Sequence, residues 1–156
     1  MFKTILWATD GSETAAHALP YALGLAESDQ AKLVVAHARE ILVGRSGGFP
    51  VFADESELRE QISKQVKDLK ISGLDATFIV RTCSANHAAR TIAGIALEVN
   101  ADLIVVGTHG YGRVAGLLVG SVTQGLLHAG VCPVLAIPTG TPVETPEHEL
   151  ETSTAQ

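Results

Sequence analysis

Aromatic residues make up only 4% of this 156-residue sequence, and basic residues are outnumbered, 11 Lys plus Arg against 17 Asp plus Glu, for a net charge of −6. A chain with neither a basic surplus nor ring platforms is poorly equipped to hold nucleic acid. Cysteine occurs twice, as Cys83 and Cys132, which makes no disulfide framework. Long apolar runs are missing as well, and nothing approaches the ~20 residues that span a bilayer. The apolar run at the start stops at Thr9-Asp10, too soon for a secretory leader. Together these absences predict a soluble cytoplasmic protein in a reducing compartment, with no nucleic-acid and no membrane partner.

What is present is aliphatic. The chain is 46% hydrophobic, and Ala, Val, Leu and Ile supply most of it. Its length suits one domain, which buries roughly two-thirds of its unfolded surface. Residues 139–156 differ from the rest. They hold Glu144, Glu147, Glu149 and Glu151, no Lys or Arg, and no apolar period. The expectation is a domain over 1–138 and a disordered acidic tail over 139–156.

Within 1–138, strand and helix signals alternate. Residues 3–8 read as a strand that runs into the turn Thr9-Asp10-Gly11-Ser12. Ala16, Leu19, Leu23 and Ala26 then step by three or four along a helix, in which Pro20 predicts a kink or an irregular turn. Residues 32–37 are the second strand, and the glycines of 44–50 mark a loop. Leu58, Ile62, Val66 and Leu69 form the clearest amphipathic stripe, ended by Gly73; the charged face around it, Glu55 included, reads as solvated. Residues 76–81 are a third strand, Ala89 to Val99 a third helix, 103–106 a fourth strand. Val122, Leu126 and Leu127 mark a fourth helix, and Val134–Ile137 a fifth strand. Strands alternating with helices, with near-continuous apolar strands such as Leu103-Ile104-Val105-Val106, predict an α/β fold: a five-stranded parallel sheet with helices on both faces, Rossmann-like. Ligands of such sheets sit beyond the carboxyl ends of the strands, where the strand order reverses.

Glycine then concentrates after the fourth strand, in Gly107-Thr108-His109-Gly110-Tyr111-Gly112-Arg113, with Gly116 and Gly120-Ser121-Val122-Thr123 following. From Leu103 to Val143 the one formally charged side chain, with His neutral, is Arg113. Bare backbone, one cation and a helix start suit an anion, because glycines admit close approach and helix N–H groups point outward. Ser121 and Thr123 add hydroxyl donors, although Ser121 is equally placed to cap the fourth helix. The mononucleotide loop G-x-x-x-x-G-K-[ST] is absent. Gly110 to Ala115 fits G-x-G-x-x-A, but it follows the wrong strand and lacks the acidic residue ~20 positions on that a dinucleotide site needs.

Gly107-x2-Gly110-x9-Gly120-Ser121 matches the G-x2-G-x9-G-[ST] pattern of the ATP-binding branch of the universal stress proteins, and the chain resembles that family. Ile5-Leu6-Trp7-Ala8-Thr9-Asp10-Gly11-Ser12 is similar to its first strand and turn, Val34-Val35-Ala36-His37-Ala38 to its second strand, and Cys132-Pro133-Val134-Leu135 to its last. The resemblance spans roughly 2–138. It implies ATP as ligand, with Mg²⁺. It implies that Ala8, Thr9 and Asp10 line the adenosine and that the backbone of Ala38 reads the adenine edge. Gly107, Thr108, His109, Gly110, Tyr111, Gly112 and Arg113 would wrap the ribose and first phosphates. Gly120, Ser121, Val122 and Thr123 would take the rest. It also implies a homodimer through Val134–Ile137 and a regulatory, stress-survival role with little or no turnover.

Alternatives stand beside these. Slow ATP hydrolysis would use the same pocket, and another adenine nucleotide such as cyclic AMP would suit it. A scaffold acting through the acidic tail is a further reading. Asp10 touches a ribose hydroxyl or a metal-bound water, or caps the first helix; His109 meets phosphate or packs in its loop. Trp7 narrows the pocket or points into the core. In place of the family's glycine after the third strand stands Asn86, which tolerates the left-handed conformation. His17, His37, His87 and His128 have no metal-ligand spacing. Cys132 reads as a small buried hydrophobe, and Cys83 as a loop residue open to solvent.

Overall fold

The computed structural model describes residues 1–42, 51–52, 55–108 and 119–138. The segment 44–50, read from sequence as a loop, and the acidic segment 139–156 lie outside the described residues. The elements are β1 (Thr4–Ala8), α1 (Glu13–Asp29), β2 (Lys32–Leu42), β3 (Val51–Phe52), α2 (Ser56–Ile71), β4 (Ala76–Ser84), α3 (Ala88–Glu98), β5 (Leu103–Gly107), α4 (Ser121–Ala129) and β6 (Val134–Ile137).

Five strands are parallel, in the order β4-β2-β1-β5-β6. The chain moves outward from β1 through β2 to β4, then returns to the other side of β1. The order therefore reverses between β1 and β5. Side-chain alternation divides the core in two. Ile5, Trp7, Leu33, Val35, Leu103 and Val105 face one layer with residues of α1 and α2. Leu6, Ala8, Val34, Ala36, Ile104 and Val106 face the other with residues of α3 and α4. Burial on both faces is why these strands are apolar at every position.

The sixth strand, β3, is an addition to the expected five. It pairs antiparallel with the end of β2, Ile41 against Phe52 and Leu42 against Val51. Ile41 already pairs with Ser84 of β4 on one edge. β3 therefore takes the other edge, the one that β1 occupies lower down, and lies beyond the end of β1.

β2 also runs five residues past its expected end at His37. Arg39 and Glu40 break the apolar run that marks a strand in the sequence, yet β4 pairs with β2 continuously from Leu33 to Ile41. The charges are accommodated at the sheet's rim. Glu40 Oε1 accepts from the Asn86 backbone N–H at 2.9 Å, in the turn where Asn86 takes φ 64°.

α1 is one continuous helix through Pro20, so the proline does not open it into an irregular turn. Pro20 and Ala16 are both exposed, so water can reach the carbonyl one turn back that the proline leaves without its usual N–H donor. The buried face is Thr14, Ala15, Ala18, Leu19, Ala22 and Ala26; Leu19 and Ala26 belong to it as expected, Leu23 is half-buried, and Ala16 does not belong. In α2, Ile62 and Val66 are buried, Leu58 and Leu69 pack partly buried against the same core, and Gly73 at φ 98° follows the helix end.

Candidate functional site

All five parallel strands present their carboxyl ends at one edge, and the site is built where β1 and β5 end side by side. Two helix N-termini arrive there. α1 begins at Glu13 with its first turn pressed on the end of β5. A Cβ on Gly107 would stand 2.6 Å from the Thr14 carbonyl oxygen, so the glycine is required by that approach of backbone to backbone. α4 begins at Ser121. Its entry is clasped to the end of β5 by two bonds, the Gly120 N–H donating to Thr108 O at 2.5 Å and the Thr123 hydroxyl to Gly107 O at 2.9 Å, while the Thr108 N–H donates to Ile137 O of β6 at 2.9 Å.

The two helix starts are unlike electrostatically. α1 is capped: the Ser12 hydroxyl accepts from the Ala15 N–H at 3.1 Å, and Glu13 adds a negative charge in the first turn. α4 has Gly120 at its N-cap, no side-chain cap and no acid in its first turn. The first N–H groups of a helix have no intrahelical acceptor. Among the described residues no side chain caps those of α4, and the positive end of its dipole lies at this edge, where an anion is favoured.

The third wall is β2. Lys32 N donates to Lys3 O of the β1 side, and Leu33 N to Asp75 O of the β4 side. Thr9 N donates to Ala36 O at 3.0 Å, so the even-numbered residues of β2 face β1. Ala38 keeps that alternation two residues later, where β1 has ended. Its N–H and C=O are therefore turned to the opening beyond β1.

Ala8, Thr9 and Asp10 lie at the β1 end, Ala38 at the β2 wall, Gly107 and Thr108 at the β5 end, and Gly120 to Thr123 at the α4 start. His109, Gly110, Tyr111, Gly112 and Arg113 lie outside the described residues. Several of the placed residues have roles within the fold that the sequence reading did not assign. Asp10 is not the helix cap: its Oδ1 accepts from the Ser12 N–H at 3.0 Å, and Ser12 caps. Ser121 does not cap α4; Gly120 holds that position, and the Ser121 side chain is exposed. Thr123 is 2% exposed and its hydroxyl hydrogen goes to Gly107 O, so it is not a donor toward the opening. Val122 packs partly buried against the α3 and α4 layer, leaving its backbone to the site.

Trp7 points into the core. It is 2% exposed and its indole N–H donates to Ala15 O at 3.1 Å, so it does not narrow the opening. Cys83 lies in β4, half-buried, where the sequence predicted an open loop. Burial pushes its thiol up from the ordinary value, more than its hydrogen bond with Thr91 lowers it, and the carboxylates of Glu40 and Glu55 push the same way as burial. Cys132 is half-buried too, and burial raises its thiol.

Sequence reasoning missed one pair altogether. His37 is 2% exposed and reaches Thr9 O with Nδ1 and Glu55 Oε2 with Nε2, each at 2.9 Å. Glu55 is therefore not part of a solvated face. The sequence carries no signal for this pair, because the two residues are joined only by the fold. Among the described residues, no group of three His, Cys, Asp or Glu side chains gathers to hold a metal ion, and no helix is long and apolar enough to cross a membrane. A separate hollow of ≈ 230 Å³ lies between α3 and the segments entering β5 and β6, lined by Leu97, Asn100, Val131 and Cys132 among others. It is at the amino-terminal edge of the sheet, away from the helix starts.

Comparison with known proteins fits this architecture. Residues 1–138 match the model of the Universal stress protein family. A Thermus aquaticus protein, "Universal stress protein in QAH/OAS sulfhydrylase 3'region", is 35% identical over 140 residues, covering 88% of this chain and 99% of its own. The structure of the universal stress protein UspA from Lactobacillus plantarum has the same fold, with a TM-score of 0.70 at 20% identity over 86% of this chain and 97% of that one. A crystal structure of a universal stress protein in complex with cAMP is 25% identical with a TM-score of 0.61, over 89% of this chain and 99% of that one. With the family match spanning both core layers and every element of the sheet, this chain belongs to the universal stress protein family.

Proposed function

We propose that this protein binds ATP at the carboxyl edge between β1 and β5, and that it acts as a nucleotide-dependent regulatory protein of stress survival in the cytoplasm. The observation that carries the reading is the uncapped, acid-free start of α4 at the point where the strand order reverses. A phosphate chain placed there meets outward N–H groups and no competing carboxylate in the first turn. Ala38 offers one N–H and one C=O toward the same opening, which suits the donor and acceptor pattern of an adenine edge. The glycine motif of 107–121 supports a nucleotide over a simple anion, and the likeness to a protein crystallised with cAMP supports adenine.

Mg²⁺ fits as a companion of the phosphates. It keeps several waters and needs only one or two carboxylates. Asp10 is the one carboxylate in the set carried over from the family, and one of its oxygens already serves Ser12. When bound, the ion would supply charge neutralisation of the triphosphate. A single, partly engaged carboxylate is a weak basis for activating water, so the reading is binding with little or no turnover. The protein pairs with a second copy through the β6 edge.

The cAMP-bound relative favours a second reading, in which the pocket prefers the cyclic nucleotide. Calorimetry with Mg·ATP and with cAMP on the same preparation separates the two. Tighter binding of Mg·ATP is the expected result; tighter binding of cAMP transfers the site to the second reading, and no heat with either removes both.

A further inference from the structure

His37 stands on β2 one residue past Ala36, the last residue of β2 that pairs with β1. Its ring is closed in, 2% exposed, with a polar partner on each nitrogen. Thr9 O is a carbonyl and only accepts, so Nδ1 carries a hydrogen. Nε2 lies 2.9 Å from Glu55 Oε2, a carboxylate oxygen. A hydrogen must stand between those two atoms as well. Without it, a ring lone pair and a carboxylate lone pair would face each other in a largely buried setting, where such a contact is repulsive.

A second observation points the same way. Glu55 is the N-cap residue of α2, yet its side chain makes no cap bond. Glutamate is not among the preferred capping side chains, and its length suits a longer reach. Here it reaches across to β2. Several charged and titratable groups among the described residues surround the pair. Arg39, on the same side of β2, has Nε 4.0 Å from Glu55 Oε2. From β4, Val80 lies opposite His37 and is uncharged, and Cys83 is the titratable group near Glu55. From the β1–α1 turn, Asp10 is adjacent to Thr9 and holds the Ser12 N–H. In the first turns of α2, Glu57, Arg59 and Glu60 are exposed.

We propose that the proton held between His37 and Glu55 is a latch: it ties the start of α2 to the Thr9 carbonyl and so positions the Thr9-Asp10 turn for the adenosine half of the ligand. His37 is thus a positioning residue, and ligand affinity falls as pH rises and the proton leaves. The ligand-binding part of this proposal rests on the adenine-nucleotide reading above.

The test uses adenosine, which has no phosphate to titrate, with calorimetry from about pH 5 to about pH 9 on the full chain. In parallel, ¹⁵N spectra follow the His37 ring and the Thr9 to Ser12 amides. The expected result is a ring protonated on both nitrogens at the acid end. Nε2 then loses its proton over the interval in which those amides shift and adenosine binds about tenfold more weakly. Glu55→Gln can donate to a neutral Nε2, so it keeps the acid-end affinity and flattens the profile. Glu55→Ala is flat and weak throughout. A ring carrying hydrogen on Nδ1 alone across the whole range overturns the latch, as does a parent protein whose adenosine affinity does not change with pH. If the ring and turn titrate together but adenosine binds at no pH, the latch stands and the adenine reading fails.

Discussion

Gly107 illustrates how far a residue can be read before the fold is known. Its place in a spaced glycine motif points to a ligand. The sharper requirement is internal, because a Cβ there would lie 2.6 Å from Thr14 O and 2.9 Å from its carbonyl carbon. Gly107→Ala is therefore expected to lower stability by about 1–3 kcal/mol through forced displacement of α1, read as a drop in the denaturant midpoint. Gly120 is the contrasting case. Its φ of −69° is ordinary for any L residue, so Gly120→Val leaves the backbone unstrained and places a branched side chain at the α4 start. That variant should fold, with a modest loss of stability from the poorer N-cap, and lose nucleotide binding in calorimetry; parental affinity would remove the phosphates from α4. Asp10 and Ser12 show the limit of local reading. Either residue type can cap a helix, and only backbone geometry decided that Ser12 does and Asp10 braces it. The His37–Glu55 pair was illegible for a different reason: a buried contact across 18 residues leaves no periodic trace in sequence.

At the level of elements, periodicity located the four helices and five parallel strands of the described residues, since their apolar faces are built by the pattern that reveals them. It failed where polar residues are satisfied by partners elsewhere. The end of β2 is charged in sequence and paired in structure, and β3 is too short to leave a signal. The α1 face was shifted because alanine is small enough to lie on either side of a helix; burial of Thr14 and Ala15 in place of Ala16 follows from the close approach of the first turn to Gly107. The cap on this helix gives a direct check. Ser12→Ala removes the acceptor of the Ala15 N–H and should cost about 1 kcal/mol, measured by urea unfolding. The amino-terminal edge of the sheet has its own tie. Asp102 accepts from the backbone N–H groups of Lys3 at 2.7 Å and Thr4 at 2.9 Å. These bonds, that of Thr4 foremost, hold its carboxyl below the ordinary 3.8. A lowered folded value means that the stabilisation is complete above 3.8 and is lost as pH falls through the folded value. Asp102→Asn should therefore be less stable than the parent at neutral pH, and the difference should shrink in acid below 3.8. Urea midpoints of both proteins at the two conditions give the result; a difference independent of pH would contradict the ionic origin.

For the whole molecule, the fold places its parts in a functional order. The strand order reverses between β1 and β5, Ser12 caps the N-terminus of α1, and α4 starts at the same edge without a side-chain cap at Gly120. Family membership and the two-layered α/β fold were legible in 1–138 because motif order and strand–helix alternation survive without knowing any contact. The identity of the ligand was legible only as an expectation, since the N–H groups and backbone edge of Ala38 proposed for it would suit several adenine nucleotides alike. Among the described residues β6 forms an outer edge of the sheet, with β5 beside it. The proposed pairing there with a second copy predicts a dimer by light scattering; Pro133 O and Ile137 O accept from β5, so the even residues of β6 face outward, and Ala136→Pro, which removes an outward ladder donor, should shift it toward monomer. The central claim is the nucleotide itself, and the most direct measurement is mass spectrometry of what the freshly purified protein releases on denaturation, followed by calorimetry with Mg·ATP. The account predicts ATP near one per chain, or a saturable one-site titration if the protein is purified empty. No released nucleotide together with no binding of Mg·ATP would leave the fold intact and contradict the function assigned to its carboxyl edge.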